Sequence, residues 1–577
     1  MKKWFKYIKP YLPFFIIGPL CMIVEVIGEV VMPKLLSIVI NRANEGTLTV
    51  GSSLGVMVMM ILCALFMLAG GVGGAYFGGK ASVNFAADVR EDAFKKVQKF
   101  SFANIDKFST GSLVTRLTND VTQIQNFVNM ILRMALRAPG MLIAALIMAV
   151  SLQPRLSMVF LVSIPVLITT ILIVVGIGFK RFGIMQKKVD ALNSTVQENV
   201  TNVRVVKSFV REDFESEKFA KANFDLKKAG MDAMNVMIYV SPVITIIMNL
   251  TVLAVVWFGG HIVLDGGMLV GDLSAFVTYV TQILMSLMMV SMLIMFSSRA
   301  LASGKRIREV LDETIDLNDD NSKCPDAKVE KGEIEFRNVS FRYYKNSEEK
   351  VLDNVSLKIP AGSTVGIIGS TGSGKTTLVS LIPRLYDADE GDVFVDGIDV
   401  RDYSLKNLRD GIGMVLQKNT LFSGSIAENL RWGDADATDE EIMAAAENAQ
   451  ADKFVSAFKE GYDTQLEQGG TNVSGGQRQR LCIARTLLKN PRVIIFDDST
   501  SAVDTATEAQ IRKTFRNELA GSTKIIIAQR ISSVESSDMI VVIDEGKIVG
   551  IGTHDELLAS NIEYQEIYYS QNEKKEA

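Results

Sequence analysis

The run Thr364-Val365-Gly366-Ile367-Ile368, followed directly by Gly369-Ser370-Thr371-Gly372-Ser373-Gly374-Lys375-Thr376, determines how the C-terminal half of the chain is organised. The first run is apolar and β-branched, as in a buried strand, and an apolar helical pattern follows the second. Glycines at such a strand-to-helix turn let backbone N–H groups converge on phosphate oxygens. We therefore predict that Gly369 to Thr377 hold the phosphates of a nucleotide, that Lys375 reaches the β- and γ-phosphates, and that Thr376 coordinates Mg²⁺. A glycine-rich turn without a ligand is the alternative, which the flanking strand and helix disfavour.

Hydropathy divides the 577-residue chain into two parts. Segments 54–77, 156–179 and 273–298 contain no charged residue and are long enough to cross a hydrocarbon core of about 30 Å. The C-terminal part mixes charged residues with alternating β-rich and helical runs, the pattern of an α/β domain. The net charge of −4 gives no indication of nucleic acid as a partner. The sequence predicts a transmembrane domain over 1–311 with spans at about 12–40, 54–79, 137–154, 156–179, 236–264 and 272–298, a polar linker over 312–331, and a nucleotide-binding domain over 332–577.

The distribution of basic residues predicts the orientation of these spans. Lysine and arginine are concentrated in segments 80–137 and 180–228, whereas the alternate loops contain only Arg42 and Arg155. By the positive-inside rule, both termini are expected in the cytoplasm. The two basic segments also show helical periodicity, so the membrane helices are predicted to extend into the cytoplasm. The N-terminal residues 1–6 are interpreted as a basic interfacial segment, because no cleavage site follows them.

A second motif, Val473-Ser474-Gly475-Gly476-Gln477, resembles the signature sequence of ATP-binding-cassette (ABC) ATPases. Other positions match further motifs of that family: Tyr343 the aromatic that stacks on adenine, Gln417 the Q-loop glutamine, Asp497 the Walker B aspartate, and Ser501-Ala502-Val503-Asp504 the D-loop. With six spans ahead of these motifs, the whole chain resembles a half-transporter of the ABC exporter type. The resemblance implies an α-helical membrane domain of six transmembrane helices with long cytoplasmic extensions, followed by an α/β P-loop nucleotide-binding domain.

The resemblance also implies how ATP and Mg²⁺ are held. In this family two ATP molecules lie between two nucleotide-binding domains, each clasped by the P-loop of one and the signature of the other. Ser474 to Gln477 would therefore contact the partner's nucleotide, and Asp504 would contact nucleotide as well. Gln417 and Asp497, the latter through water, would join Thr376 around Mg²⁺. Segments 102–127 and 198–212 resemble the family's coupling regions, and the fused order of domains favours an exporter over an importer.

Two positions depart from the family pattern. Asp498 stands where the family has the glutamate that polarises the attacking water, and Gln529 stands where it has a histidine that contacts the γ-phosphate. The missing methylene withdraws the carboxylate by about 1.5 Å, and misplacement by about 1 Å can cost about a hundredfold in rate. The chain's two histidines, His261 and His554, are remote in sequence. A weaker departure is Gln468, where homodimeric exporters often have glutamate.

These departures predict a heterodimer. Self-pairing would place the weakened residues in both sites, so we expect a homologous half-transporter that carries Glu and His at these positions. This chain's own site would bind ATP but hydrolyse it poorly, while its signature would complete the partner's active site. We expect this exporter of hydrophobic or amphipathic compounds in a bacterial inner membrane. Tolerated variation in a working ATPase, a regulatory or gating subunit, and a lipid or peptide exporter are the alternatives.

The membrane half offers two candidate substrate-contacting features. Glu25 and Glu29 are i, i+4 neighbours on one helix face, where an unpaired carboxylate is costly, so they should face the bundle interior or a hydrated cavity. In the last span, methionines repeat at helical spacing at positions 285, 288, 289, 292 and 295. Flexible methionine suits adaptable binding surfaces, although core packing is the more usual role of such a stripe. Together these features favour large amphipathic molecules, including cationic ones.

Overall fold

The computed structural model describes residues 2–344, 347–498, 505–517, 519 and 521–572. The chain folds into two units. One comprises the residues up to Gln98 together with Thr110–Asp312, and the other comprises Lys99–Ser109 together with the chain from Glu313 onward. The short segment Lys99–Ser109 therefore belongs to the second unit, although it interrupts the first in sequence.

The first unit is built from helices. They are α1 (Lys2–Ile8), α2 (Leu12–Asn44), α3 (Val50–Gln98), α5 (Thr110–Thr115), α6 (Val121–Met134), α7 (Arg137–Leu152), α8 (Phe160–Thr201), α9 (Val203–Ser208), α10 (Glu212–Leu264) and α11 (Val270–Asp312), while α4 (Phe102–Lys107) lies in the second unit. A π-helical turn at Arg116–Asp120 joins α5 to α6. There the buried Asp120 accepts hydrogen bonds from Ser303 (2.8 Å) and Arg306 (2.7 Å) of α11, which ties α6 to the end of the last long helix.

Six helical segments of the described chain are long and apolar enough to cross a membrane: Lys3–Asn44, Ser53–Gln98, Thr110–Leu152, Leu156–Thr201, Pro242–Leu264 and Val270–Leu293. The predicted count of six transmembrane helices is thereby confirmed. Helices α8 and α10 contain 42 and 53 residues. At 1.5 Å per residue they are about 63 Å and 80 Å long, so they continue well beyond a hydrocarbon core of about 30 Å.

The second unit has the predicted α/β architecture. Its strands are β1 (Ile334–Phe341), β2 (Leu352–Ile359), β3 (Thr364–Ile368), β4 (Glu390–Val395), β5 (Ile398–Asp399), β6 (Ile412–Val415), β7 (Gly424–Ser425), β8 (Gln465–Leu466), β9 (Val493–Asp497), β10 (Thr523–Ile527), β11 (Met539–Asp544) and β12 (Lys547–Gly552). Its remaining helices are α12 (Lys375–Ser380), α13 (Leu405–Asp410), α14 (Ile426–Leu430), α15 (Asp439–Asn448), α16 (Asp452–Val455), α17 (Gly475–Leu488), α18 (Thr505–Asn517), α19 (His554–Ser560) and α20 (Ile562–Asn572).

The larger sheet determines where the functional residues meet. Its strand order is β12-β11-β3-β10-β9-β6, with β12 antiparallel to β11 and the other pairs parallel. Strands β3, β9 and β10 are buried along nearly their whole length, as expected for parallel strands covered on both faces. Ile527 at the end of β10 pairs with Ile367 on one side and Asp497 on the other. The segments that follow these three strands therefore leave from the same edge of the sheet.

The segment predicted as a polar linker is fastened to the second unit. The Asp396 carboxylate accepts hydrogen bonds from the backbone N–H groups of Glu330 (2.7 Å) and Gly332 (2.8 Å). The Cys324 N–H donates to the Asp402 carbonyl oxygen (2.8 Å). These bonds make the segment a structured strap along the α/β unit, which its acidic composition did not indicate.

Candidate nucleotide-binding site

The loop predicted to bind phosphate lies between β3 and α12, at the carboxyl edge of the larger sheet. Gly369 has φ 156°, and a Cβ at this position would lie 2.0 Å from the Ile543 carbonyl oxygen. Gly374 has φ 98°, and a Cβ there would lie 2.8 Å from the Val351 carbonyl oxygen. Both positions therefore require glycine, for reasons of close approach as well as of backbone conformation.

Lys375 folds over this loop. Its Nζ donates to the carbonyl oxygens of Ser370 (2.6 Å) and Gly369 (3.0 Å). Burial lowers the pKa of Lys375, and the nearby carboxylates of Asp498 and Asp497 oppose that lowering. The amine therefore lies on the loop, within electrostatic reach of the two aspartates that end β9.

Thr376 and Asp497 form a pair of oxygen ligands beside the loop. The Thr376 hydroxyl donates to Asp497 Oδ1 at 2.8 Å, and the Gln417 backbone N–H also donates to this carboxylate. Burial raises the pKa of Asp497, whose side chain is 2% exposed, while the bond from Thr376 opposes the rise. Hydroxyl and carboxylate oxygens are the ligands that Mg²⁺ prefers, so these residues fit the predicted ion.

Asp498 connects two other predicted residues. Its Oδ2 accepts a hydrogen bond from Gln529 Nε2 at 2.8 Å, and Gln417 Nε2 lies 3.4 Å from the same oxygen. The backbone of Asp498 has φ 47°, a left-handed conformation in which aspartate is enriched among residues other than glycine. The structure thus brings Asp498, Gln529 and Gln417 together, and two side-chain amides converge on one carboxylate oxygen.

Tyr343 lies just beyond the end of β1, beside α12. Tyr343 is 41% exposed, and its hydroxyl lies 2.9 Å from Thr377 Oγ1. Tyr386 packs edge-on against it, with ring centroids 5.2 Å apart. An exposed aromatic face next to the phosphate-binding loop agrees with the predicted contact to adenine.

The signature residues begin helix α17. The Ser474 hydroxyl accepts the Gln477 N–H (3.3 Å), and Gln477 Oε1 accepts the Ser474 N–H (2.9 Å), which together form a capping box. Gly475 and the nearby Gln468 are exposed. Within the described part of the chain, no hydrogen bond joins segment 474–477 to segment 369–377. The D-loop, including the predicted Asp504, lies outside the described residues.

Tyr386 is a residue of this unit that sequence reasoning missed. Its hydroxyl donates to Asp106 Oδ2 at 2.9 Å, and its ring centroid lies 6.0 Å from that of Phe102. Burial raises the pKa of Tyr386, and the bond to Asp106 adds to this rise. Both partners are in α4, within the predicted coupling region, so Tyr386 links that helix to Tyr343. The contact spans 280 residues, and no local pattern indicates it.

In the first unit, the two membrane glutamates share one partner. Arg137 Nη2 lies 2.7 Å from Glu29 Oε1 and 3.2 Å from Glu25 Oε1. Gln282 Nε2 donates to the Glu29 carbonyl oxygen at 2.9 Å. The other carboxylate oxygen of each glutamate is buried and has no hydrogen-bond partner among the described residues. Both side chains therefore face other helices, as expected, and the arginine that pairs with them was not foreseen.

The predicted methionine stripe divides between the core and the surface. Met288 packs against the buried cluster of the first unit, whereas Met285 and Met292 are exposed. The side chain of Met295 lies outside the described residues. The stripe therefore contributes in part to packing, and only its outer members present sulfur and methyl groups at the surface.

Comparison with known proteins identifies both parts of the chain. Residues 15–287 match the family model described as the ABC transporter transmembrane region, and residues 352–501 match the family model described as ABC transporter. The ABC transporter ATP-binding protein YfiB of Bacillus subtilis, itself uncharacterized, is 37% identical over 99% of this chain and 98% of its own length. YgaD of the same organism, whose name assigns it provisionally to multidrug export, is 33% identical over 99% of both chains.

A solved structure shows the same architecture. A bacterial Atm1-family ABC exporter with ATP bound superposes with a TM-score of 0.80 and 26% sequence identity, covering 97% of this chain and 98% of that one. The match extends over both the helical and the α/β parts. The predicted fold, a six-helix membrane domain followed by an α/β nucleotide-binding domain, is confirmed.

Proposed function

The chain belongs to the ABC transporter family as a half-transporter of the exporter type, and we propose that it is the weakly hydrolysing subunit of a heterodimeric exporter. The observation that carries the proposal is the position of Asp498, whose Oδ2 is approached by the amides of Gln529 and Gln417. A general base must accept a proton from the attacking water, and lone pairs engaged by amide donors are not free for that task. The carboxylate is also about 1.5 Å shorter than that of glutamate.

The residues that hold the nucleotide are retained. Tyr343 would contact adenine, the loop from Gly369 to Thr377 would bind the phosphates, and Lys375 would supply positive charge to the β- and γ-phosphates. Thr376, Gln417 and Asp497 would hold Mg²⁺, with Asp497 acting through water, and the ion would supply neutralising charge to the phosphates. This chain's own site would therefore bind ATP tightly and turn it over slowly.

The signature face supports a division of labour between two chains. Ser474 to Gln477 form an intact, capped helix start that carries none of the departures found beside the phosphate-binding loop. In a sandwich of two nucleotide-binding domains this face would complete the partner's site. A partner that carries Glu and His would then hydrolyse ATP there, and that step would return the transporter to its resting state.

A surface in the second predicted coupling region supports pairing with another subunit. Around α9, the side chains of Phe209 and Val210 are 73% and 81% exposed. Val210 also has φ 52°, which a β-branched residue rarely adopts. Exposed apolar side chains beyond a membrane span are typical of contact surfaces between proteins. We assign this surface to the partner's nucleotide-binding domain.

The cargo proposed for this exporter is hydrophobic or amphipathic. The relative named for multidrug export supports this class, and so do the exposed methionines of α11. Two carboxylates beside one guanidinium give the cluster at Glu25 and Glu29 a net charge of −1 when all three groups are ionised, which favours cationic compounds. The proposed location is the inner membrane of a bacterial cell with both termini in the cytoplasm, an orientation that the basic segments between spans support through the positive-inside rule.

Affinity purification tests the assembly. The tagged chain is isolated from its native membrane at natural abundance, and the subunits that accompany it are identified by mass spectrometry and by peptide sequence. We expect one homologous half-transporter in equal amount, with Glu and His at the positions equivalent to Asp498 and Gln529. A self-paired chain with ATPase activity typical of transporters would overturn the proposal. Drug efflux that requires both chains would exclude a purely regulatory role.

A further inference from the structure

Gln571, near the end of α20, contacts the segment that follows β10. Its Oε1 accepts the Ile531 N–H at 3.0 Å, and its Nε2 donates to the Gln529 carbonyl oxygen at 2.8 Å. All three residues lie in the second unit, and the bonds span 40 and 42 positions in sequence. Helix α20 contains none of the residues assigned to ATP or Mg²⁺, so nucleotide binding does not explain these two bonds.

The two bonds follow the pattern of a neighbouring β-strand. Arg530, between the two bonded residues, is extended, with φ −106° and ψ 132°. In extended backbone, the carbonyl of one residue and the N–H of the residue two positions later point to the same side. The Gln571 amide meets both groups at once, one with its N–H and the other with its oxygen. One side chain therefore satisfies two backbone groups beyond the end of β10.

Apolar packing alone does not fix the whole of this segment. Ala528 and Ile531 are buried, whereas Gln529 and Arg530 between them are exposed. Packing therefore holds the two ends of the stretch. The bond from Gln571 holds the carbonyl group of Gln529 in the exposed middle.

The packing of α20 brings Gln571 to this place. Tyr564 is fully buried, and Tyr568 packs against the same apolar cluster, which also contains Ile531. The Tyr564 hydroxyl lies 2.7 Å from His554 Nδ1 of α19. Positions 564, 568 and 571 are related as i, i+4 and i+7, so they share one face of the helix. Burial of that face therefore presents the Gln571 amide to the segment after β10.

Gln529 is thereby held at two points. Its carbonyl oxygen accepts from Gln571, and its side-chain Nε2 donates to Asp498 Oδ2 at 2.8 Å. The position of the backbone limits where the side-chain amide can reach. A chain of two hydrogen bonds thus connects α20 to the carboxylate that stands at the catalytic position.

We propose that Gln571 is a positioning residue, which acts through the backbone of Gln529 to keep the Gln529 amide on Asp498 and so keeps hydrolysis slow. This role rests on the weak hydrolysis proposed for the site. Without Gln571, the amide of Gln529 would leave Asp498 for part of the time. The carboxylate lone pair would then be available to the attacking water more often.

The fate of retained ATP tests this role. The full-length transporter, purified with the subunit that accompanies it, is loaded with radiolabelled ATP and Mg²⁺ and freed of unbound nucleotide, and conversion of the retained ATP to ADP is followed. Gln571→Leu removes both bonds and keeps a good helix former. It should speed conversion about fivefold, which corresponds to about 1 kcal/mol for one lost hydrogen bond. The amount of ATP retained and the Tm should not change.

Two further variants separate positioning from a general loss of structure. Gln565→Leu is the matched control, because Gln565 Nε2 also donates to a backbone carbonyl from α20, but to that of Leu558 in α19 at 2.8 Å. It should leave conversion unchanged. In a Gln529→Ala background, Gln571→Leu should have no further effect, because no side-chain amide is left to position. An equal increase in the Gln529→Ala background, or an equal increase with Gln565→Leu, would refute the role of Gln571.

Hydrogen–deuterium exchange of the segment 529–531 tests the contact itself. Gln571→Leu should speed exchange of the Ile531 amide about fivefold, whereas Gln571→Glu keeps an oxygen acceptor and should preserve its protection. Unchanged exchange in Gln571→Leu would refute the contact at any rate of hydrolysis. Rapid conversion of ATP by the unaltered protein would instead refute the weak hydrolysis proposed for the site, so the two failures are distinguishable.

Discussion

Restoring the residues of an active site should restore hydrolysis on this chain's own nucleotide. The double substitution Asp498→Glu with Gln529→His extends the carboxylate by one methylene, about 1.5 Å, and replaces the amide that lies 2.8 Å from it. Misplacement of a catalytic group by about 1 Å costs about a hundredfold in rate, or about 2.7 kcal/mol of barrier. We therefore expect turnover at this site to rise by about a hundredfold.

The measured increase depends on what the chain is paired with. In a self-paired preparation both sites gain the missing groups, so the steady-state ATPase rate should rise about a hundredfold from a low background. In a transporter whose other site already works, the total rate should at most about double, because only one site is gained. The assay is ATP turnover at saturating Mg²⁺ and ATP in lipid nanodiscs, in parallel with ATP binding.

The backbone at position 498 sets a condition on this experiment. Its φ of 47° is less favourable for glutamate than for aspartate, at a cost of about 1 kcal/mol, so Tm is measured for every variant. The matched control is Asp498→Asn with Gln529→His, which carries the same histidine without a base and should remain inactive. An unchanged rate for the double variant in both preparations, with Tm and ATP binding preserved, would refute the proposal that Asp498 and Gln529 limit hydrolysis at this site.

Three further outcomes follow from the contacts. Because the pKa of Asp497 is raised in the folded protein, its carboxyl group contributes to stability at low pH, and this contribution is lost as pH rises through the pKa of the folded state. Asp497→Asn should therefore raise the Tm of the Mg²⁺-free protein at neutral pH. The increase in Tm should become smaller as pH falls. Tyr343→Ala should raise the KM for ATP about 5- to 150-fold, the range expected for loss of one base stack, whereas Ala at the exposed neighbour Tyr344 should not. Arg137→Met should lower the stability of the membrane unit by about 3 kcal/mol in thermal unfolding, because Glu25 and Glu29 both lose their partner. Glu25→Gln leaves the pair of Arg137 and Glu29 intact and should cost less than about 1 kcal/mol. Equal Tm losses for the last two variants would contradict this ion-pair account.

The parts of the fold that the sequence predicted are those with local signals. Six long apolar runs are sufficient to count membrane spans, because apolar runs of this length are rarely found outside helices that cross a hydrocarbon core. The strand that ends at Ile368 and its glycine-rich turn carry their conformation in consecutive residues, so the phosphate-binding loop was predictable to the residue.

The contacts that were missed join residues far apart in the chain. Arg137 meets Glu29 across 108 residues, and Tyr386 meets Asp106 across 280. Neither pair leaves a periodic signal, because each depends on how helices and loops are arranged in three dimensions. The placement of α4 with the α/β unit belongs to the same class, since its sequence reads as one more helical segment between two spans.

The two departures from the family pattern behave in the structure as one change. Gln529 Nε2 donates to Asp498 Oδ2 at 2.8 Å, and the backbone of this short aspartate is left-handed. With Asp498→Glu alone, the longer carboxylate would extend beyond the Gln529 amide and leave that donor without its acceptor. With Gln529→His alone, the histidine would be too far from the short Asp498 carboxylate to act together with it. Single substitutions should therefore each recover less than a tenth of the gain of the pair, and their effects should be strongly non-additive. Such coupling is expected of a site specialised to hold ATP, and two independent losses in an ordinary ATPase would instead add.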